Sequence, residues 1–197
     1  MRPIYVAVGL LSASTLLLEI TLTRLFSVAQ GYHFAFLAVS LALLGFGASG
    51  SLLSAFPIFL RHDLRHVLFI LALLFIWAVP VSYLLSNHIP FDAYQIAWDP
   101  RQVFYMGVYY LSLAVPFTLA GLAIGAALAG RPGQESRVYA SNLIGSGMGS
   151  LGALVALSVL GGERAILLGA TMGGLAALFV MPRRWPSALA VLGCLAG

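Results

Sequence analysis

The sequence has no lysine, a single cysteine and few charged residues of either sign. Only 8% of its 197 residues are charged, and 61% are hydrophobic. Soluble domains carry about a quarter charged residues, so this composition excludes an ordinary soluble fold. Because Cys194 is alone, the chain can form neither an internal disulfide bond nor a cysteine metal cluster. The lack of lysine leaves ten arginines as the only side chains with a permanent positive charge.

What the sequence has instead is a series of long apolar runs. A helix needs about 20 mainly apolar residues to cross the hydrocarbon core of a bilayer. Open strands are excluded there, because lipid cannot satisfy their backbone polar groups. We therefore predict an all-α, polytopic helical membrane bundle with six complete transmembrane helices and a truncated seventh that begins near Pro186. The six complete runs cover residues 4–26, 34–60, 67–85, 104–129, 138–160 and 165–181.

The arginines lie mainly in the short gaps between these runs, and the gaps alternate in arginine content. One side of the membrane receives Arg2 and the pairs at 61/65, 131/137 and 183/184. The other side receives Arg101 and Arg164, which have acidic residues nearby. By the positive-inside rule the N-terminus is cytoplasmic, and we expect a multi-pass protein of the inner (plasma) membrane. Arginines scattered along membrane edges predict the lipid bilayer as partner and no nucleic acid.

Glycines recur at four-residue spacing, which lets the backbones of two membrane helices approach closely. The segments 45–50 and 147–152 also match the dinucleotide-binding pattern G-x-G-x-x-G, but that pattern requires a preceding strand. Both segments lie inside apolar helical runs, so we predict helix packing and no cofactor in this chain. The predicted helix-packing glycines are Gly45, Gly121, Gly125, Gly145, Gly149, Gly169 and Gly173.

His62 and His66 lie one helical turn apart, as the two zinc-binding histidines of a metalloprotease do. They belong to a short polar gap on the side predicted to be cytoplasmic, and the sequence offers no obvious third ligand. We predict a polar turn that helps to set the topology, and no metal site.

Glu19 and Arg24 are ionisable residues inside the first predicted crossing. Such groups cost about 2.5–3.5 kcal/mol each at the centre of a membrane helix and usually find partners in protein or water. Their spacing points them in different directions, so contacts with neighbouring helices are expected. Asn142 is expected to bond to another helix, and with Gln30 and His33 it is a candidate polar neighbour. A buried structural ion pair and a functional site are alternative interpretations.

Several segments resemble the membrane-bound spermidine synthase-like proteins. Residues 18–27 and 44–50 are similar to the first two crossings of that family. Residues 138–152, followed by 160–164, are similar to its tyrosine–asparagine–glycine helix and the loop after it. The sequence departs from the family at 20–22, where relatives often have an aromatic residue. The resemblance implies membrane helices followed by a soluble Rossmann-like domain that transfers an aminopropyl group from decarboxylated S-adenosylmethionine to a diamine.

On this resemblance, residues 1–197 form the helical transmembrane domain, and the downstream soluble domain of the same protein is its partner. Catalytic and cofactor-binding residues would belong to that soluble domain, and none is assigned in this chain. We expect the chain to anchor the enzyme domain and to help handle its substrate. Because a cytosolic domain after a cytoplasmic N-terminus requires an even number of crossings, at least one crossing beyond residue 197 is expected.

Two other classes of function remain open. A transporter or channel module for a small, cationic solute is favoured by Glu19, Arg24 and the prolines within the helices. A purely structural membrane scaffold is the second alternative. The sequence leaves open whether the chain forms a homo-oligomer.

Overall fold

The computed structural model of the protein describes residues 2–29, 35–56, 62–92, 95–96, 98–130 and 132–182. In these residues it forms six helices, each long and apolar enough to cross a membrane. The prediction of an all-α bundle with six transmembrane helices is therefore confirmed. The predicted truncated seventh helix lies outside the described residues, as do Gln30 and His33. The helices are α1 (Arg2–Ala29), α2 (Ala35–Ala55), α3 (Leu64–His88), α4 (Arg101–Ala129), α5 (Glu135–Leu160) and α6 (Gly162–Val180).

Local chemistry explains where several of these helices begin and end. Asp63 is the N-cap of α3, and its carboxylate accepts a hydrogen bond from the Arg65 backbone N–H at 3.5 Å. Gly161 alone separates α5 from α6, and its φ of 79° lies in a region that favours glycine. Pro80 and Pro116 lie inside α3 and α4 without ending them, as is common in membrane helices.

Helix α1 is the centre of the bundle. It packs extensively against α5 and α6 and also contacts α2 and α4, while α3 lies between α4 and α6. The start of α1 meets the start of α5, and its other end meets the start of α6, where Gly162 contacts Leu25. The chain therefore crosses the bundle in alternating directions. We call the end where α1, α3 and α5 begin the N-terminal end.

The core and the outer surface of the bundle are both apolar. Phe75 and Phe117 are completely buried between helices. On the outside, Leu43 of α2 and Leu151 of α5 are 69% and 68% exposed. An exposed apolar surface of this kind is unfavourable in water and matches a hydrocarbon environment, so the packing agrees with a membrane protein.

A polar column inside a glycine-packed bundle

The closest helix contact joins α1 and α5. A β-carbon at Gly145 would lie 2.7 Å from the carbonyl carbon of Gly9, and one at Gly149 would lie 2.6 Å from Cα of Ala13. Both would come still closer to the carbonyl oxygens of those two residues. Since Gly9 and Ala13 are met in the same order as Gly145 and Gly149, the two helices run parallel. Small residues at four-residue spacing on both helices make this approach possible.

Helices α2 and α4 form a second parallel pair. A β-carbon at Gly45 would lie 2.5 Å from Cβ of Phe117, and one at Gly125 would lie 2.6 Å from Cδ1 of Leu53. Between them, Gly121 contacts Ser49, and a β-carbon at Gly121 would lie 2.9 Å from Cβ of Ser49. These three predicted glycines therefore lie along one helix interface.

The two predicted glycines of α6 differ in how tightly they are packed. A β-carbon at Gly173 would lie 2.7 Å from Cε1 of Phe75 in α3. The nearest atom to such a carbon at Gly169 is Cδ2 of Leu17 in α1, at an ordinary contact distance of 3.4 Å. Only Gly173 thus excludes a larger residue on steric grounds.

Both segments that match the dinucleotide pattern lie in the middle of helices, within α2 and α5. In each, one glycine forms a close helix contact, Gly45 in the first and Gly149 in the second. Gly47, Gly50 and Gly147 have open space where a β-carbon would be. The pattern requires a strand-to-helix turn around a pyrophosphate, and neither segment has that geometry.

Polar side chains form a column along one face of α1. Tyr5, Ser12 and Glu19 are seven residues apart, so they lie on nearly the same side of the helix. The Tyr5 hydroxyl donates to Oε1 of Gln134 at 2.6 Å. The Ser12 hydroxyl lies 2.7 Å from Oδ1 of Asn142 and 2.8 Å from the Val8 carbonyl oxygen. The first two members of the column thus connect α1 to the N-terminal half of α5.

Glu19 is the third member of the column and has a different environment. Its side chain is partly exposed, and it forms no hydrogen bond or ion pair with a side chain in the described part of the chain. With the middle of α1 taken as the bilayer centre, Glu19 lies about 5 Å from that centre, at 1.5 Å per residue. A carboxyl group at this depth is costly when ionised. The predicted polar neighbour Asn142 lies beside Ser12 and not beside Glu19.

Arg24 is on a different face of α1 and is exposed at the surface of the bundle. By the same measure it lies about 13 Å from the bilayer centre, and half the hydrocarbon thickness is about 15 Å. Its long side chain can therefore reach the membrane–water interface, as arginines near helix ends do. The described residues bring Glu19 and Arg24 to no common partner.

The sequence pattern does not predict the four buried polar residues of α1, which are Ser12, Ser14, Thr15 and Thr21. Ser14 donates to the carbonyl oxygen of Gly169 at 2.5 Å and so joins α1 to α6. Thr21 is completely buried, and its hydroxyl has no hydrogen-bond partner among the described residues. Serine and threonine are common in membrane helices, where they often bond to their own backbone, as Thr15 does to Leu11. A serine or threonine in a membrane helix therefore does not by itself predict a bond to another helix.

The end of the bundle opposite the N-terminal end is covered by aromatic contacts. Phe91 follows α3, and the centroid of its ring lies 5.5 Å from that of Tyr109 and 6.1 Å from that of Tyr110, both in α4. Tyr109 also lies 6.0 Å from Phe26 near the end of α1. These rings connect α1 and α4 with the segment that follows α3.

No group of three or more metal-binding side chains occurs within the residues that the structure describes. His66 is paired instead with Asp63, at 3.0 Å between Nδ1 and Oδ2. No family model, curated protein or solved structure matches the chain.

Proposed function

We propose that this chain is the membrane-anchoring domain of a spermidine synthase-like protein whose aminopropyltransferase-like domain follows it. The supporting observation is that the segment with the strongest resemblance, 138–152, supplies the α5 side of the tightest helix interface. Asn142 bonds to Ser12 there, and Gly145 and Gly149 contact the α1 backbone. These residues serve to pack helices, which agrees with an anchor that positions a soluble enzyme domain.

The proposal is tested with the product of the complete gene, purified in detergent. We expect it to transfer the aminopropyl group of decarboxylated S-adenosylmethionine to a diamine, with methylthioadenosine as the other product. Chromatography of both products gives the measurement. Residues 1–197 alone, prepared in the same way, should show no transfer. A gene with no methyltransferase-like domain after residue 197 would exclude the proposal.

A transport function is the second candidate, and Glu19 is the observation that favours it. A carboxyl group deep in the membrane, without a described ionic partner, is a usual feature of cation or proton pathways. Uptake of a radiolabelled diamine into proteoliposomes should then be lost in Glu19→Gln and kept in Arg24→Gln. Equal uptake by the wild-type protein and Glu19→Gln would exclude this candidate.

We also propose that the N-terminal end of the bundle faces the cytoplasm. The alternation of arginines supports this orientation. In a Cys194→Ser background, Trp98→Cys should react with a membrane-impermeant thiol reagent added to intact cells, because Trp98 is 87% exposed at the opposite end. Gly133→Cys should react only after the cells are opened. The reverse result would invert the topology.

A further inference from the structure

A groove between α3 and α4 opens on the outer surface of the bundle at its N-terminal end. It has a volume of about 690 Å³, and its walls are apolar, formed by side chains such as Ile70, Leu74 and Leu119. Ile70 and Leu74 are each about half exposed, at 49% and 50%. We call this feature the α3/α4 groove. In a membrane it faces the lipid.

Among the described residues that line the α3/α4 groove, the polar side chains are at its mouth: His62, Asp63 and His66. The carboxylate of Asp63 caps α3 and lies 3.0 Å from Nδ1 of His66. Both side chains remain more than half exposed, at 62% and 55%. The mouth therefore presents the Asp63 carboxylate, which can accept further hydrogen bonds, beside the His62 imidazole, which can donate one.

The length of the α3/α4 groove matches one leaflet of a bilayer. From Asp63 to Leu74 the helix rises about 16 Å, and half the hydrocarbon core is about 15 Å thick. All the polar groups are at one end of this length, and apolar side chains line the rest. The complementary shape is a single acyl chain that extends inward from a polar head group.

We propose that the α3/α4 groove binds one glycerophospholipid that has a primary ammonium in its head group, of the phosphatidylethanolamine class. The ammonium lies against the Asp63 carboxylate, and a phosphate oxygen accepts a hydrogen bond from the imidazole N–H of His62. An anionic glycerol head group has no positive charge to offer Asp63. A choline head group has the charge but no N–H donor, so it makes the weaker contact.

The test uses the full-length protein in vesicles that contain a trace of a phospholipid with a photoreactive diazirine in the middle of its acyl chain. Three probes differ only in head group: ethanolamine, choline and glycerol. After illumination, mass spectrometry locates the labelled peptides. We expect the ethanolamine probe to label residues 66–74 and 119–122 roughly two- to five-fold more than the choline probe, the effect of one surface hydrogen bond that choline cannot make.

Asp63→Asn is the decisive variant, because asparagine caps a helix as well as aspartate does while it removes the charge. It should lose the preference for ethanolamine over choline. The matched control is Glu135→Gln at the same end of the bundle, which leaves the groove unchanged and should keep the preference. Ile70→Trp, which fills the groove, should reduce labelling with every probe, whereas Leu175→Trp in the neighbouring α3/α6 groove should not.

Three results would overturn the proposal. Equal labelling of the wild-type protein by all three probes would show ordinary boundary lipid. Stronger labelling by the glycerol probe would show an anion site. A disulfide between two chains that both contain Ile70→Cys, in a Cys194→Ser background, would show that a second copy covers the groove. Because labelling of the wild-type protein is itself informative, the test does not depend on the folding of any variant.

Discussion

Two pairs of parallel helices, α1/α5 and α2/α4, use the same glycine spacing but make different contacts. In α1/α5, Gly145 and Gly149 face backbone atoms of Gly9 and Ala13. In α2/α4, the atoms opposite the glycines change along the interface from the α4 backbone to the end of the Leu53 side chain. A backbone cannot move away from an added methyl group, whereas a leucine can rotate. The cost of replacing a glycine thus depends on the atoms that it faces more than on the spacing.

The two helix pairs also differ in their hydrogen bonds. In α1/α5 the Ser12 hydroxyl reaches Asn142 of the other helix. In α2/α4 the Ser49 and Thr118 hydroxyls bond to carbonyl oxygens of their own helices, at 2.7 Å and 3.0 Å. Polar groups therefore fix the register of α1 against α5, while the described contacts between α2 and α4 set their register by shape.

The largest effect is expected for Gly149→Ala. Alanine favours a helix by about 1 kcal/mol over glycine, but overpacking against the fixed Ala13 backbone costs about 3 kcal/mol, the upper end of the usual range, and forces the helices apart. We expect a net loss of about 2 kcal/mol, with the same direction for Gly145→Ala. Reversible unfolding by dodecyl sulfate in mixed micelles, followed by circular dichroism, measures the free energy.

Gly147→Ala is the matched control for this prediction, since it lies on the same helix with open space around it. Its free energy of unfolding should equal that of the wild type or exceed it by up to about 1 kcal/mol, the gain in helix propensity. If Gly147→Ala and Gly149→Ala were equally harmful, the loss would come from α5 itself and not from its contact with α1.

A smaller effect is expected for Gly45→Ala in the other pair. The added carbon would lie 2.5 Å from Cβ of Phe117 and 2.8 Å from the backbone nitrogen of Thr118, so part of what it meets is fixed. We expect a loss of about 1 kcal/mol after the gain in helix propensity. Gly47→Ala on the outer face of α2 is the control and should be neutral or more stable by up to about 1 kcal/mol. If Gly45→Ala lowered the free energy of unfolding more than Gly149→Ala does, α2/α4 and not α1/α5 would be the less adjustable interface.

The hydrogen bond between Ser12 and Asn142 should contribute less than either glycine contact. Bonds of this kind in membrane proteins average about 0.6 kcal/mol in double-mutant cycles. The cycle consists of Ser12→Ala, Asn142→Ala and the double variant, measured in the same unfolding experiment. A coupling energy near zero would mean that Ser12 bonds to the Val8 carbonyl oxygen, which lies at a similar distance. The difference in register control between the two pairs would then be lost.

The helices could be predicted from the sequence because hydrophobic length is a local property. The third apolar run, 67–85, lies inside the observed α3, Leu64–His88, which begins three residues earlier because Asp63 caps a polar first turn. The partners of the glycines are a tertiary property and could not be predicted. Gly9 and Ala13 show the same small spacing as Gly145 and Gly149, yet nothing local indicates that the two helices meet in parallel. The surroundings of Glu19 and Arg24 likewise depend on how α1 is rotated among its neighbours.

The smallest effect is expected for Gly125→Ala, because Gly125 faces the end of a side chain and not a backbone. The new carbon would lie 2.6 Å from Cδ1 of Leu53, the tip of a side chain that is partly exposed and can change rotamer. The rotamer change and the gain in helix propensity should nearly cancel, which leaves the free energy of unfolding within about 0.5 kcal/mol of the wild type. The double variant Leu53→Ala/Gly125→Ala should be no less stable than Leu53→Ala, because the obstructing atom is gone. A loss of about 2 kcal/mol for Gly125→Ala, retained in the Leu53→Ala background, would show that α2 and α4 are held together as rigidly as α1 and α5.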